Sequence, residues 1–87
     1  MEVKLSSKAV KYFQKLDAPT KERMRKALQK LGLEPPQGDI KALQGQRNIY
    51  RCKVGDWRIL FSISVEDNLI TVSNIAPRGE VYKRKER

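Results

Sequence analysis

The sequence predicts an α+β domain in which a short N-terminal strand and two helices precede a three-stranded antiparallel meander, with the helices packed on one face of the sheet. Apolar residues recur at helical spacing through the first third of the chain, and the period changes to two after Asn48. The dipeptide Gly55-Asp56 then sits between two alternating runs, where a hairpin turn belongs.

Val3 and Leu5 alternate with charged residues and read as the first strand. Ser6 or Ser7 supplies a helix cap, because a Ser oxygen accepts from one of the orphan N–H groups of the first turn. The helix runs to about Leu16, with Ala9, Val10, Phe13 and Leu16 on one face. Asp17 is a second N-cap, and Pro19 is tolerated in the first turn of the next helix. There Met24, Ala27, Leu28 and Leu31 form the apolar stripe, opposite Lys21, Arg23, Arg25, Lys26 and Lys30. Gly32 suits the C-terminal cap, and Pro35-Pro36 forbid continuation.

Glu34 to about Arg47 reads as a turn-rich connector. From Asn48, Tyr50, Cys52 and Val54 point one way, and Arg51 and Lys53 the other. The return strand places Trp57, Ile59, Phe61, Ile63 and Val65 on the apolar face and Arg58 on the opposite one. Glu66-Asp67-Asn68 makes a turn, Leu69 to Ile75 forms the last strand, Pro77 ends it, and a basic tail follows.

The 87 residues are expected to make one domain spanning 1–87. A chain of that size buries only about 60–65% of its unfolded surface. It carries 19 Lys and Arg against 10 Asp and Glu, a net charge of +9, which attracts polyanions. Nucleic acid is the first candidate partner, an anionic membrane surface the second and an acidic protein the third. No apolar run approaches the roughly 20 residues that span a bilayer, and the N-terminus lacks the apolar core of a secretory leader. With a lone Cys52, which fits a reducing compartment, a cytoplasmic location is expected. Histidine is absent. A transition-metal site is therefore not expected, nor is Ser-His or Cys-His catalysis. No cofactor is expected. Any chemistry must come from Arg, Lys, Tyr, Asp or Glu.

A two-residue turn at Gly55-Asp56 pairs Val54 with Trp57 and Lys53 with Arg58, with Arg51 next along that face. Like charges directly opposite on a sheet cost roughly 0.2–1 kcal/mol. One reading is a solvated face with its cations splayed into water. The other is a phosphate site, because two facing cations become favourable once an anion sits between them. Pro77 and Gly79 bracket Arg78, as expected of a bend that aims a side chain. Tyr82 either packs on the core or stacks on a base.

Two stretches resemble the RelE/ParE toxin superfamily, closest to its RelE-type branch: Ile40-Lys41-Ala42-Leu43-Gln44-Gly45 with Tyr50 to Phe61, and Ile75-Ala76-Pro77-Arg78-Gly79-Glu80-Val81-Tyr82. With the helices before them, the likeness covers nearly the whole chain. The resemblance implies a toxin of a type II toxin–antitoxin system, restrained by an acidic antitoxin protein. It implies a metal-independent endoribonuclease that cuts mRNA in the ribosomal A site. Its working residues would be Arg51, Lys53, Arg58, Arg78 and Tyr82. The RNA 2′-hydroxyl attacks the adjacent phosphate, so a base, charge stabilisation and an acid are required. Lys53 is the candidate base, because neighbouring cations disfavour its charged form. Arg58 and Arg51 would hold non-bridging oxygens, Arg78 would stabilise the leaving group, and Tyr82 would stack on or hydrogen-bond around the displaced nucleotide. Two positions depart from the family pattern. Pro77 stands where many relatives carry His, and Arg51 stands where the best-known RelE-type site has Lys, which moves the burden of the base to Lys53. The alternatives are a ParE-like toxin that inhibits DNA gyrase without nuclease activity, and a module that only binds.

Overall fold

A computed structural model describes residues 1–45 and 47–77. Its elements run β1 (Glu2–Leu5), α1 (Ser7–Gln14), α2 (Ala18–Leu31), β2 (Asp39–Ala42), β3 (Ile49–Val54), β4 (Trp57–Ser64) and β5 (Leu69–Pro77). The strands form one five-stranded mixed sheet in the order β1-β5-β4-β3-β2, with β1 parallel to β5 and the remaining pairs antiparallel. The two helices carry the chain from one edge of the sheet to the other across a single face.

Local chemistry accounts for the ends of the helices. Ser6 has extended backbone, and its Oγ accepts from the Ala9 N–H at 3.1 Å, which satisfies an orphan donor of α1. Its hydroxyl also donates to the Ser73 carbonyl at 3.1 Å, tying the start of α1 to β5. Asp17 occupies the N-cap of α2 without a side-chain cap bond, and the proline lies in the first turn. α1 stops at Gln14, two residues before the expected end, yet Leu16 remains buried beyond it.

The core lies between helices and sheet. Ala9 and Leu16, Met24 and Leu31 from the helical layer meet Cys52, Ile59, Phe61, Ile70, Val72 and Ile75 from the sheet. Tyr50 and Phe61, register partners, stack with ring centroids 5.7 Å apart. Burying these apolar groups is the main force holding the helices to that face.

The structure corrects the expected meander in two places. The connector contains a strand, Asp39–Ala42, that pairs with β3 along Asp39↔Lys53, Ile40↔Cys52, Lys41↔Arg51 and Ala42↔Tyr50. The sheet therefore has five strands rather than four. Val65 does not belong to the apolar face: β4 ends at Ser64, and Val65 is 79% exposed in the turn. Ser64 Oγ donates to Asp67 and accepts from the Asp67 N–H, and Asn68 takes φ 53°, so the turn closes one residue earlier than expected.

The Gly55-Asp56 hairpin matches the expected register, with Val54↔Trp57 and Lys53↔Arg58. Gly55 has φ 61°, the left-handed value that a glycine in the first central position of a tight hairpin supplies without strain. Between β4 and β5 the register slips by one residue. Leu60 faces Asn74 while Phe61 faces Val72, so Ser73 is the extra residue of a β-bulge, and its hydroxyl donates to the Leu60 carbonyl at 3.3 Å.

Candidate functional site

The face of the sheet away from the helices is built in rows across the strands. Ile40, Cys52, Ile59 and Ile75 point toward the core. Alternation therefore sends their neighbours to the other side. One row reads Asp39, Lys53, Arg58, Ala76, and the next reads Lys41, Arg51, Leu60, Asn74. The sheet thus brings Arg51, Lys53 and Arg58 together on the face away from the helices. Arg78 and Tyr82 lie outside the described residues.

The three cations have different surroundings. Lys53 is exposed, between Asp39 on one side and Arg58 on the other. Arg51 is engaged by the edge strand: its Nη1 donates to the Asp39 carbonyl at 3.0 Å and lies 3.6 Å from the Asp39 carboxylate. Arg58 lies on the central strand and is only 6% exposed. Its Nη1 donates to the Trp57 carbonyl at 3.2 Å, while its buried Nε has no hydrogen-bond partner among the described residues. A buried charged group is ordinarily paired and fully hydrogen-bonded. A guanidinium with an idle donor is instead prepared to receive an acceptor, and its planar fork suits a phosphate.

Two residues of this face were not singled out from the sequence. Asp39 was placed in a connector, where nothing in the local pattern gave it a partner. Asn74 is 5% exposed, and its Oδ1 is buried without a hydrogen-bond partner among the described residues. The bulge at Ser73 conceals which face Asn74 takes.

Cys52 is free and buried on the core face of β3. Burial pushes its thiol above the ordinary value and the Asp39 charge adds to that, while a backbone hydrogen bond at Asp39 and the Arg51 charge pull the other way. Such a thiol is a poor nucleophile and a poor metal ligand. Among the described residues, no group of three or more His, Cys, Asp or Glu is placed to hold a metal ion. No helix among them is long and apolar enough to cross a membrane.

Residues 3–82 match the family described as the ParE toxin of type II toxin–antitoxin systems, parDE. No curated protein matches the chain. Among solved structures, the fold is similar to the archaeal RelE–RelB complex from Pyrococcus horikoshii, at 29% identity and a TM-score of 0.76, covering 90% of this chain and 94% of that one. It is also similar to isolated Escherichia coli RelE, at 22% identity and a TM-score of 0.76, covering 97% and 93%. The RelB–RelE complex of Methanococcus jannaschii is similar at 19% identity and a TM-score of 0.77, covering 93% and 96%. The match over residues 3–82 and the shared architecture make this chain a type II toxin–antitoxin toxin, a member of the ParE toxin family within the RelE/ParE superfamily.

Proposed function

We propose that this toxin is an endoribonuclease that cuts mRNA in the ribosomal A site, using Lys and Arg side chains in place of histidine or metal. The observation that carries the reading is the Lys53–Arg58 pair, in register on the face away from the helices, with Arg58 buried and its Nε without a partner among the described residues. A scissile phosphate on Arg58 would supply the missing acceptor and the counter-charge for its guanidinium. Lys53, as the unprotonated amine, then takes the proton of the 2′-hydroxyl. The 2′-oxygen attacks phosphorus, the bond to the 5′-oxygen breaks, and that oxygen takes a proton from solvent water as it leaves. Arg58 binds the non-bridging oxygens as charge develops on them. Arg51, once released from Asp39, adds a second cation, while Arg78 and Tyr82 serve the leaving group and the displaced nucleotide. The products are a 2′,3′-cyclic phosphate and a 5′-hydroxyl.

Lysine and arginine give weak acid–base catalysis unaided, so much of the rate comes from the ribosome holding mRNA for in-line attack. The toxin accordingly works in the cytoplasm. Its restraint is an acidic antitoxin, in keeping with the RelE–RelB complexes among similar structures and with the charge of +9. A second reading, gyrase inhibition without nuclease activity, is favoured by the ParE description of the matching family. Purified toxin added to programmed ribosomes and to naked mRNA separates the two. The nuclease reading expects rapid cleavage of ribosome-bound mRNA, slow cleavage of naked mRNA and 5′-hydroxyl downstream fragments. Intact mRNA on translating ribosomes, with DNA damage in cells, would establish the gyrase reading instead.

A further inference from the structure

Arg58 and Asn74 sit on adjacent strands on the face away from the helices, each more than nine-tenths buried, and each presents a buried polar atom without a partner among the described residues. Arg58 faces Ala76 and Asn74 faces Leu60, so neither has a polar side chain directly across from it on that pair of strands. They are diagonal neighbours, a relationship that places Cβ atoms roughly 7–8 Å apart, within span of a long side chain. One idle atom is a donor and the other an acceptor. A phosphate offers only acceptors, so it can satisfy Arg58 Nε but never Asn74 Oδ1. The ligand must bring a hydrogen-bond donor a short distance from its phosphate.

The arrangement also has a direction. Lys53 flanks Arg58 on the β3 side, and Asn74 lies on the β5 side. In an in-line displacement the attacking and leaving oxygens lie on opposite sides of phosphorus. With the phosphate on Arg58 and the attacking 2′-hydroxyl beside Lys53, the leaving nucleotide lies toward β5. We infer that Asn74 is a positioning residue that accepts a hydrogen bond from the ribose 2′-hydroxyl of the nucleotide downstream of the cut. That hydroxyl is a donor, belongs to RNA and not to DNA, and takes no part in the bond change. The inference rests on the nuclease reading for its substrate.

The test is single-turnover cleavage on programmed ribosomes with mRNA carrying one 2′-deoxy or one 2′-fluoro sugar at the downstream nucleotide. Both substrates keep the attacking hydroxyl and stay cleavable. Wild-type toxin should cut each about fivefold more slowly than all-ribose mRNA, the size of one net hydrogen bond. Asn74→Leu, nearly the same shape, should cut all three at one rate, and Asn74→Ser should behave likewise. A structural role alone would slow all three substrates and leave their ratio at the wild-type value. Wild-type cleavage indifferent to the downstream sugar, or discrimination that survives in Asn74→Leu, overturns the inference while the nuclease reading stands. Failure of the wild type to cut all-ribose mRNA overturns both.

Discussion

Lys53 and Arg58 are register partners on adjacent strands, yet Lys53 is exposed while Arg58 is 6% exposed, its Nε without a partner among the described residues. Two cations side by side, one of them removed from water, oppose folding. Arg58→Met should therefore raise stability by at least about 1 kcal/mol and the melting midpoint by about 4–8 °C, while abolishing cleavage. Thermal unfolding followed by circular dichroism, beside the ribosome assay, measures both. A fall in the midpoint would mean that Arg58 supports the fold.

Arg58→Lys keeps the charge and loses the planar fork. Its cleavage rate should drop on the order of 10²-fold under saturating, single-turnover conditions. Near wild-type cleavage by this variant would reduce Arg58 to a generic positive charge.

Lys53→Arg keeps the charge and replaces an amine able to release its proton with a guanidinium that effectively cannot. A drop of about 10²–10⁴ in the single-turnover rate, with RNA binding retained, is the expected signature of a lost base. If binding and cleavage are both retained, the base is another group.

Ser6 caps α1 and bonds across to the Ser73 carbonyl at the bulge. Ser6→Ala should cost about 1 kcal/mol in urea unfolding, typical of a lost N-cap. The cut rate on programmed ribosomes should not change, because the cap lies on the helical side of the sheet.

Gly38 has φ 140°, and a Cβ there would stand 3.0 Å from Cys52 Sγ. Gly38→Ala should cost about 1–3 kcal/mol through backbone strain and crowding. Combining it with Cys52→Ala should recover the crowding part alone, so the double variant should be more stable than the summed single losses. Strict additivity in denaturant titrations would show that the sulfur makes room freely.

The folded-state pKa of Cys52 is raised above its ordinary value of 9.0, chiefly by burial. Between 9.0 and the higher folded value the unfolded chain releases the proton first, so the stability from the protonated thiol is full below 9.0 and lost as pH rises through the folded value. Urea midpoints of the wild type should consequently fall faster as pH rises above 9.0 than those of Cys52→Val. Parallel curves would assign the alkaline loss to other groups.

Periodicity and turn chemistry alone determined both helices, a cap at Ser6 or Ser7 for the first and at Asp17 for the second, and the hairpin that sets Lys53 against Arg58. These are local relations, settled by residues a few positions apart, so a linear reading reaches them. The edge strand Asp39–Ala42 was not legible, because its alternation lasts only four residues inside a turn-rich stretch, too short a run to establish a period, and pairing with β3 defines it. The parallel seating of β1 on β5 likewise comes from partners more than sixty residues apart in the chain, such as Val3 and Ile70. Ile70, Val72 and Ile75 break strict alternation, and that break is the trace that a bulge leaves in a sequence. Only the paired sheet shows that Ser73 is the extra residue and that Asn74 therefore turns to the face of Arg58. Burial was decided at the same level: the sequence puts Arg51, Lys53 and Arg58 on one face, but the folded chain buries Arg58 on the central strand β4, and Asp39 on the edge strand engages Arg51.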